Sequence, residues 1–409
     1  MAHTARTEDD KVEFFDSPDA LDEKITTLAQ WIKQASHFIA FTGAGISTAA
    51  GIPDFRSGMN TVLETGPGAW ELRAKGETRS KKRKVVSTVK AIPTPTHMMM
   101  LQLCQNGSLK AVISQNTDGL HRRSGLGKQE LYELHGNSNL EVCKSCRREY
   151  LRDFRTRSAA KVHNHLTGRK CDDPHCRGKL RDTIINFGED LPEDVLEASL
   201  KHAKVADLCL AMGSSLTVTP AADIPKIVGK KRIETGGLVV VNLQKTPLDH
   251  LASMRIHAKC EDVSRLLMDK LGVPIPEFRL RRKIQISQKI ASHLPSCEVS
   301  VQGLSSDGFP FSFIEKVEFR LSSLKETTVS KEPFTFTIPN TKQPRMSLQL
   351  KVCFFAHYGE PSLDFKWEEK STKNVTKIYT LEFDPFTQKW ADLVVGVDDL
   401  AAKLEAAAL

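Results

Sequence analysis

No stretch of this 409-residue chain approaches the roughly 18 to 20 consecutive apolar residues that a membrane-spanning helix demands, so no membrane partner is expected. Nor does an apolar stretch follow the mixed-charge N-terminus, Met1 to Phe15; without a secretory signal the chain is expected to stay inside the cell, where thiols remain reduced. No internal repeat appears, so no repeat array is expected. A large surplus of one charge sign is also missing. Against 50 acidic residues stand 58 basic ones, a net charge of +8 that is modest for this length and does not by itself indicate nucleic acid. Of nine cysteines, Cys104, Cys209, Cys260, Cys297 and Cys353 are isolated and read as small buried hydrophobes. The length suits two to three domains.

What is present begins with a glycine turn. After the apolar run Phe38-Ile39-Ala40-Phe41 come Thr42-Gly43-Ala44-Gly45-Ile46-Ser47-Thr48-Ala49-Ala50-Gly51. Gly43 and Gly45 let backbone amides approach a pyrophosphate, and the residues from Ile46 to Ala50 can start a helix whose N-terminus favours anions. The ordinary dinucleotide fingerprint wants a third glycine at position 48, where this chain has Thr48 and delays its glycine to Gly51. Taken alone, the glycine pair reads more readily as a plain strand-to-helix turn than as a dinucleotide site.

A first helix is expected over residues 21–34, because Leu21, Ile25, Leu28, Ala29 and Ile32 recur at helical spacing behind Ser17-Pro18. Four apolar strands follow, at Phe38–Thr42, Leu109–Ser114, Leu208–Met212 and 238–241. Continuous apolar runs separated by helical stretches predict a Rossmann-like, doubly wound parallel sheet. Ligands bind beyond the carboxyl ends of such strands, and all four ends carry polar groups: the glycine turn, Gln115-Asn116-Thr117-Asp118, Gly213-Ser214-Ser215 and Asn242-Leu243-Gln244. A closing helix is expected over 261–271.

Between them lies Cys143-x2-Cys146, then 24 residues, then Cys171-x4-Cys176. Two pairs at this spacing can place four thiolates around one structural zinc in a small ribbon lobe at about 138–182; a disulfide framework is the rival, disfavoured by a reducing compartment. His163, His165 and His175 lie in the same segment, but four cysteines suffice. The pentapeptide Glu133-Leu134-His135-Gly136-Asn137 can present an imidazole to a cleft, although an isolated histidine is more often structural.

Beyond Pro276 the pattern changes. Arg279-Leu280-Arg281-Arg282-Lys283 reads as part of a basic linker over 277–295, and period-two alternation then runs through Val317 to Leu321, Phe334 to Ile338, Leu348 to Phe354, Phe365 to Trp367 and Tyr379 to Phe383. It predicts a C-terminal antiparallel β-sandwich-like domain over 296–395. From Trp390 onward a terminal helix or a frayed tail is expected, the tail covering 396–409. Residues 1–20 read as an N-terminal extension. Arg79-Ser80-Lys81-Lys82-Arg83-Lys84 packs five positive charges into six residues and suits a nuclear-import receptor or a phosphate surface, a bare solvated loop being the alternative.

The order of glycine turn with Ile52-Pro53-Asp54-Phe55-Arg56, then Gln115-Asn116-x-Asp118, Leu134-His135-Gly136-Asn137, the cysteine ribbon and Gly213-x-Ser215-Leu216 resembles the sirtuins, the NAD-consuming protein deacylases, over about residues 25–271. Pro95-Thr96-His97-Met98, Leu180-Arg181-Asp182-Thr183-Ile184 and Arg255-Ile256-His257 resemble the chromatin-associated class IV members. The C-terminal domain lies outside the resemblance. The resemblance makes 21–276 the catalytic domain and implies NAD as cofactor, one structural zinc on Cys143, Cys146, Cys171 and Cys176, and acylated lysine in proteins, histones among them, as substrate. It implies His135 as general base beside Asn116 and Asp118. It puts Gly43, Ala44, Gly45, Thr48, Asp54, Phe55, Arg56 and Trp70 on the cofactor loop, Gln115 on the ribose, and Gly213, Ser214, Ser215, Asn242, Gln244 and Cys260 on the phosphate and adenosine side. It implies that the acyl-peptide joins as a strand between Phe187-Gly188-Glu189 and Ser215-Leu216-Thr217-Val218. A mono-ADP-ribosyltransferase would use the same pocket. The basic segments and the class IV resemblance together imply a nuclear protein with contacts to nucleosomal DNA phosphate. Three departures stand out: an insertion at 59–66 before Trp70, a long stretch at 71–91 where the family has a compact cofactor-loop helix, and Phe187-Gly188-Glu189, which matches the broader sirtuins.

Overall fold

The structure, a computed structural model, describes residues 11–78, 85–231, 233, 235–290, 296–321, 326–338, 345–370, 374–391 and 394–396. The basic block at 79–84 therefore lies outside the described residues. The chain forms two compact units.

The first unit takes residues up to Ser138, then Ala159–Leu166 and Asp182–Phe278. Its centre is a six-stranded sheet of β1 (Phe38–Thr42), β2 (Leu109–Ser114), β3 (Leu131–Glu133), β8 (Leu208–Met212), β9 (Gly237–Val241) and β10 (Met254–Ile256), in the order β10-β9-β8-β1-β2-β3. Every pairing is parallel. Burial on both faces explains why these strands read as unbroken apolar runs. Ile39, Phe41, Ala111, Ile113, Cys209, Ala211, Leu238 and Val240 form one core with α5 (Glu193–Val205) and α6 (Asp223–Gly229). The alternating set, Phe38, Ala40, Val112, Leu210 and Val239, is equally buried on the face of α1 (Pro18–Gln34), α3 (Pro95–Gln105) and α7 (Cys260–Leu271). The chain leaves β1 toward β2 and returns on its other side as β8, so the switch point of the sheet opens between the carboxyl ends of β1 and β8.

Three local expectations change. The stretch after Gly45 is a 3₁₀ helix, Ala44–Ala50, closed by Gly51 at φ +81°, rather than the start of an α-helix. The 71–91 stretch begins inside a short helix, α2 (Ala69–Ala74). Two further parallel strands, β3 and β10, are too short, at three residues each, to show as apolar runs.

The second unit combines Asn139–Ser158, Thr167–Arg181 and Arg279–Leu409. Its ribbon sheet contains β4 (Leu140–Cys143), β5 (Glu149–Arg152), β6 (Leu166–Lys170) and β7 (Lys179–Asp182), in the order β13-β5-β4-β7-β6, where β13 (Phe311–Ser312) comes from the C-terminal region. Two further sheets face each other across a core that includes Ile284, Val299, Phe319, Phe334, Leu350 and Trp367. One has β16 (Phe334–Ile338), β12 (Cys297–Leu304), β11 (Leu280–Ile290), β19 (Val375–Asp384) and β20 (Lys389–Trp390) in that order, with β21 (Val394–Gly396) also on β19; the other has β15 (Thr327–Val329), β14 (Ile314–Leu321), β17 (Arg345–Phe354) and β18 (Leu363–Lys370). All five alternating runs are strands of an antiparallel sandwich. The basic linker is not a linker: it enters β11, whose central neighbours are β12 and β19. Nor do residues 389–390 and 394–396 begin a helix, since both are strands.

Arg282 explains the misreading of the linker. It alternates with Leu280, Ile284 and Ile286 on the inward face of β11 and is about 1% exposed. Its guanidinium lies 2.8 Å from Asp153 and 2.7 Å from Glu360, and packs 4.6 Å from the Phe313 ring centre. Backbone pairing runs alongside, with Leu151 N–H donating to Pro310 C=O and Asp153 N–H to Ser312 C=O, both at 2.9 Å. Arg152 reaches Glu141 at 2.7 Å, Glu332 at 3.1 Å and Ser312.

Candidate active site and metal centre

The switch point is closed by three glycines that touch. A Cβ on Gly43 would stand 2.7 Å from Gly213 C=O, and one on Gly45 would stand 2.7 Å from Gly213 Cα, so side chains are excluded where the two turns meet. Gly213 itself has φ +60°. Above them opens a cavity of about 540 Å³.

Its walls contain every residue that the sequence points to for cofactor and chemistry: Gly43, Ala44, Gly45, Thr48, Asp54, Phe55, Arg56, Trp70, Gln115, Asn116, Asp118, His135, Gly213, Ser214, Ser215, Asn242, Gln244 and Cys260. Hydrogen bonds fix most of them. Asn116 Nδ2 donates to Gly43 C=O at 3.0 Å, Gln115 Nε2 to Ser214 Oγ at 2.8 Å, and Asn242 Nδ2 to Gln244 C=O at 2.9 Å. Asp118 is buried, and its two oxygens accept from Ser47 Oγ at 2.7 Å and Leu120 N–H at 2.9 Å. Asp54 accepts from the Ser57 hydroxyl and amide; burial raises its carboxyl pKa, partly offset by those bonds. At the mouth, the Arg56 guanidinium sits 4.7 Å over Trp70, whose ring lies 5.2 Å from Phe55 and 5.4 Å from Phe187. Phe187 is 61% exposed, a large apolar side chain left facing solvent beside an opening.

His135 follows β3, on the turn closed by Gly136 at φ +76°. Its Nδ1 lies 3.0 Å from Gln115 C=O. A carbonyl only accepts, so Nδ1 carries the proton and Nε2 the lone pair. Burial lowers the imidazole pKa, against a smaller raising effect of that carbonyl, and keeps the ring neutral near pH 7.

Sequence reading missed Ser47, which holds Asp118, and Glu13, which lines the cavity from the segment taken as an extension. Ser47 sits within the glycine turn, four residues beyond Gly43, but neither it nor Glu13 carries a local signal of its distant partner. Below the turn, His97 and His121 form a second unforeseen pair, rings 4.8 Å apart and fully buried. His121 Nε2 meets Thr42 Oγ1 at 2.9 Å, and Thr94 Oγ1 donates to Ile46 C=O at 2.9 Å, so this layer props the turn from beneath.

In the second unit the sulfurs of Cys143, Cys146, Cys171 and Cys176 all lie within 4.8 Å of one another. The pairs Cys143–Cys176 and Cys146–Cys171 stand 3.6 Å apart. That is far beyond the ~2.05 Å of a disulfide. It is close to the ~3.8 Å edge of a sulfur tetrahedron around zinc with ~2.3 Å bonds. Ser145 N–H and the Tyr150 hydroxyl approach Cys143 Sγ and Cys171 Sγ at 3.4 and 3.1 Å, the kind of outer support a thiolate site uses. In the first unit, His163 and His165 bind Glu189, and His165 also binds Asp182.

Residues 43–220 match the Sir2 family. The rice NAD-dependent protein deacetylase SRT1 (Oryza sativa subsp. indica) is 35% identical over 362 residues, 87% of this chain and 71% of that one. This chain belongs to the Sir2 family. The rat NAD-dependent protein deacetylase sirtuin-7 is 43% identical over 65% of this chain and 64% of its own, and the Drosophila melanogaster NAD-dependent protein deacetylase Sirt6 is 40% identical over 65% and 81%. An alignment spanning 87% of this sirtuin must run well past α7, so the C-terminal region is not wholly outside the resemblance, as the motifs alone suggested.

Proposed function

We propose that this sirtuin uses NAD to remove acyl groups from protein lysines, with His135 as the general base. The protein is an NAD-dependent protein deacetylase; the finer assignments are the roles of individual residues, the substrates and the compartment. The observation that carries the reading is a neutral imidazole, its Nε2 lone pair free of the Gln115 bond, in the same cavity as the meeting glycine turns.

The donor set fits NAD. The amides of the glycine turn and the hydroxyls of Ser214 and Ser215 suit its phosphates, Asn242 and Gln244 its adenosine, and Asn116 with Asp118 its nicotinamide and ribose. When bound, NAD supplies a ribose carbon bearing a cationic leaving group. The protein's part is positional: Ser47 and Leu120 fix Asp118, Gly43 fixes Asn116, and His135 accepts a hydroxyl proton at Nε2 while the Gln115 carbonyl holds the resulting imidazolium through Nδ1. Phe187, Glu189, Ser215 and Val218 line the same cavity, which supports a peptide added as a strand there.

Histones are the proposed substrates and the nucleus the proposed compartment. Support from charge is narrower than the sequence suggests, because Arg279, Arg281 and Arg282 pair with Asp384, Glu382 and Asp153 with Glu360. It rests on the block at 79–84 and on kinship. Replacing Lys81, Lys82, Arg83 and Lys84 by alanine should deplete the protein from nuclei and flatten the salt dependence of nucleosome binding; unchanged distribution and slope would reduce the block to a solvated loop. Among the described residues no helix is long and apolar enough to cross a membrane.

Incubation with NAD and a panel of acylated histone peptides tests the reaction itself. Release of free lysine peptide with stoichiometric nicotinamide is expected. ADP-ribosylated protein without deacylation would overturn the assignment in favour of transfer to another nucleophile.

A further inference from the structure

Residues 11–16, which the sequence offers only as an extension, run across the cofactor end of the cavity and bind two of its walls. On one side Glu13 accepts from Thr61 Oγ1 at 2.6 Å and from Val62 N–H at 3.0 Å. Lys11 Nζ lies 3.0 Å from Glu71, a carboxylate only 7% exposed on α2, next to Trp70. These contacts hold the 59–66 insertion and the helix after it. On the other side Phe14 N–H donates to Leu243 C=O at 2.9 Å, and Gln244 Nε2 donates to Lys11 C=O at 3.3 Å. Asp16 and His257 exchange two more bonds, Asp16 N–H to His257 C=O at 2.8 Å and His257 N–H to Asp16 Oδ2 at 3.0 Å. Lys24 holds the Asp16 carboxylate at 2.7 Å.

The strap therefore bridges insertion and adenosine-side loop by hydrogen bonds, and Glu13, Leu63, Trp70, Leu243 and Gln244 all face the cavity. Among the described residues, the hydrogen bonds that link Thr61 and Val62 to Gln244 run through the strap. An insertion of that length in a cofactor loop costs binding affinity if it has to be ordered by the ligand, and costs none if the protein orders it beforehand.

We propose that Glu13 is a positioning residue for NAD: it pins the insertion against the adenosine-side loop so that the cofactor cavity is preformed. The inference rests on the NAD reading above. It predicts a loss confined to cofactor binding. Glu13 bonds to Thr61 and Val62, whereas His135 is held by the Gln115 carbonyl, so the chemical step is left alone.

The full-length protein carrying Glu13→Ala should show a KM for NAD raised roughly tenfold, the scale of losing hydrogen bonds to a charged group. Its kcat and its KM for acyl-peptide should stay within about twofold of the parent. Thr61→Val should raise the same KM, and the double variant should cost less than the sum of the two because one interaction is removed twice. Titration calorimetry with NAD alone gives a readout independent of turnover. If Glu13→Ala binds NAD as tightly as the parent, or if kcat and melting temperature fall together with NAD affinity unchanged, the positioning role is overturned. Absence of NAD-dependent turnover in the parent protein would instead overturn the functional reading, leaving calorimetry to decide on the strap.

Discussion

One backbone carbonyl decides which tautomer the proposed base, His135, presents to the cavity. Because Gln115 C=O takes the Nδ1 proton, His135 offers Nε2 to the cavity, and because burial depresses the ring's pKa, that nitrogen is already basic in mildly acidic solution. Replacing His135 by alanine should lower kcat by ~10² to 10⁴ while NAD binding measured by calorimetry stays within a few-fold of the parent. The sign of the pH dependence follows. Activity controlled by His135 should rise with pH below its unperturbed value of 6.5 and be flat above it, and a rising limb centred above 6.5 would assign the base elsewhere. The residues proposed for this were readable because they sit in motifs at strand ends; Asn116, Asp118 and His135 follow β2 and β3. Ser47 and Glu13 were not. Their roles depend on partners 71 and 48 residues away, and nothing in the local pattern of a serine or a glutamate points across such distances.

At the scale of elements, the parallel strands were legible for a physical reason: burial on both faces leaves an unbroken apolar run of strand length, bounded here by polar and glycine residues. The antiparallel strands showed through alternation, except β11. Its inward set Leu280, Arg282, Ile284, Ile286 does alternate, but one member is a charge, and a buried arginine is invisible to a hydrophobicity pattern until its carboxylates are known. The cysteine ribbon was the clearest element, since two short-spaced thiol pairs have few uses. Metal analysis should find one zinc per chain, and Cys171→Ser should yield protein that is insoluble or metal-free. Folded, active parent protein without zinc would remove the metal from the ribbon.

At the scale of the molecule, the sandwich and the ribbon form a single unit, and its strongest electrostatic joint is the arginine between two carboxylates. Removing only the cation leaves Asp153 and Glu360 buried at 3% and 0% exposure without their partner. Arg282→Ala should therefore destabilise the unit by about 3–5 kcal/mol, measured by urea unfolding followed through Trp367 and Trp390. Replacing Arg282, Asp153 and Glu360 together by apolar residues of similar volume should restore most of that loss. A single substitution costing under 1 kcal/mol would mean the triad is hydrated in solution.

The β5 to β13 seam bears on modularity. A domain that sits at the end of a chain is ordinarily an exchangeable cassette, gained, lost or swapped between homologues with its neighbours unaffected. Here the last strand of the ribbon sheet is contributed from Phe311 and Ser312, and Asp153 is matched to Arg282 and His357, 129 and 204 positions further on. Recombination at the end of α7 would separate these partners, so the segment at 139–158 and everything after 279 have to be inherited together.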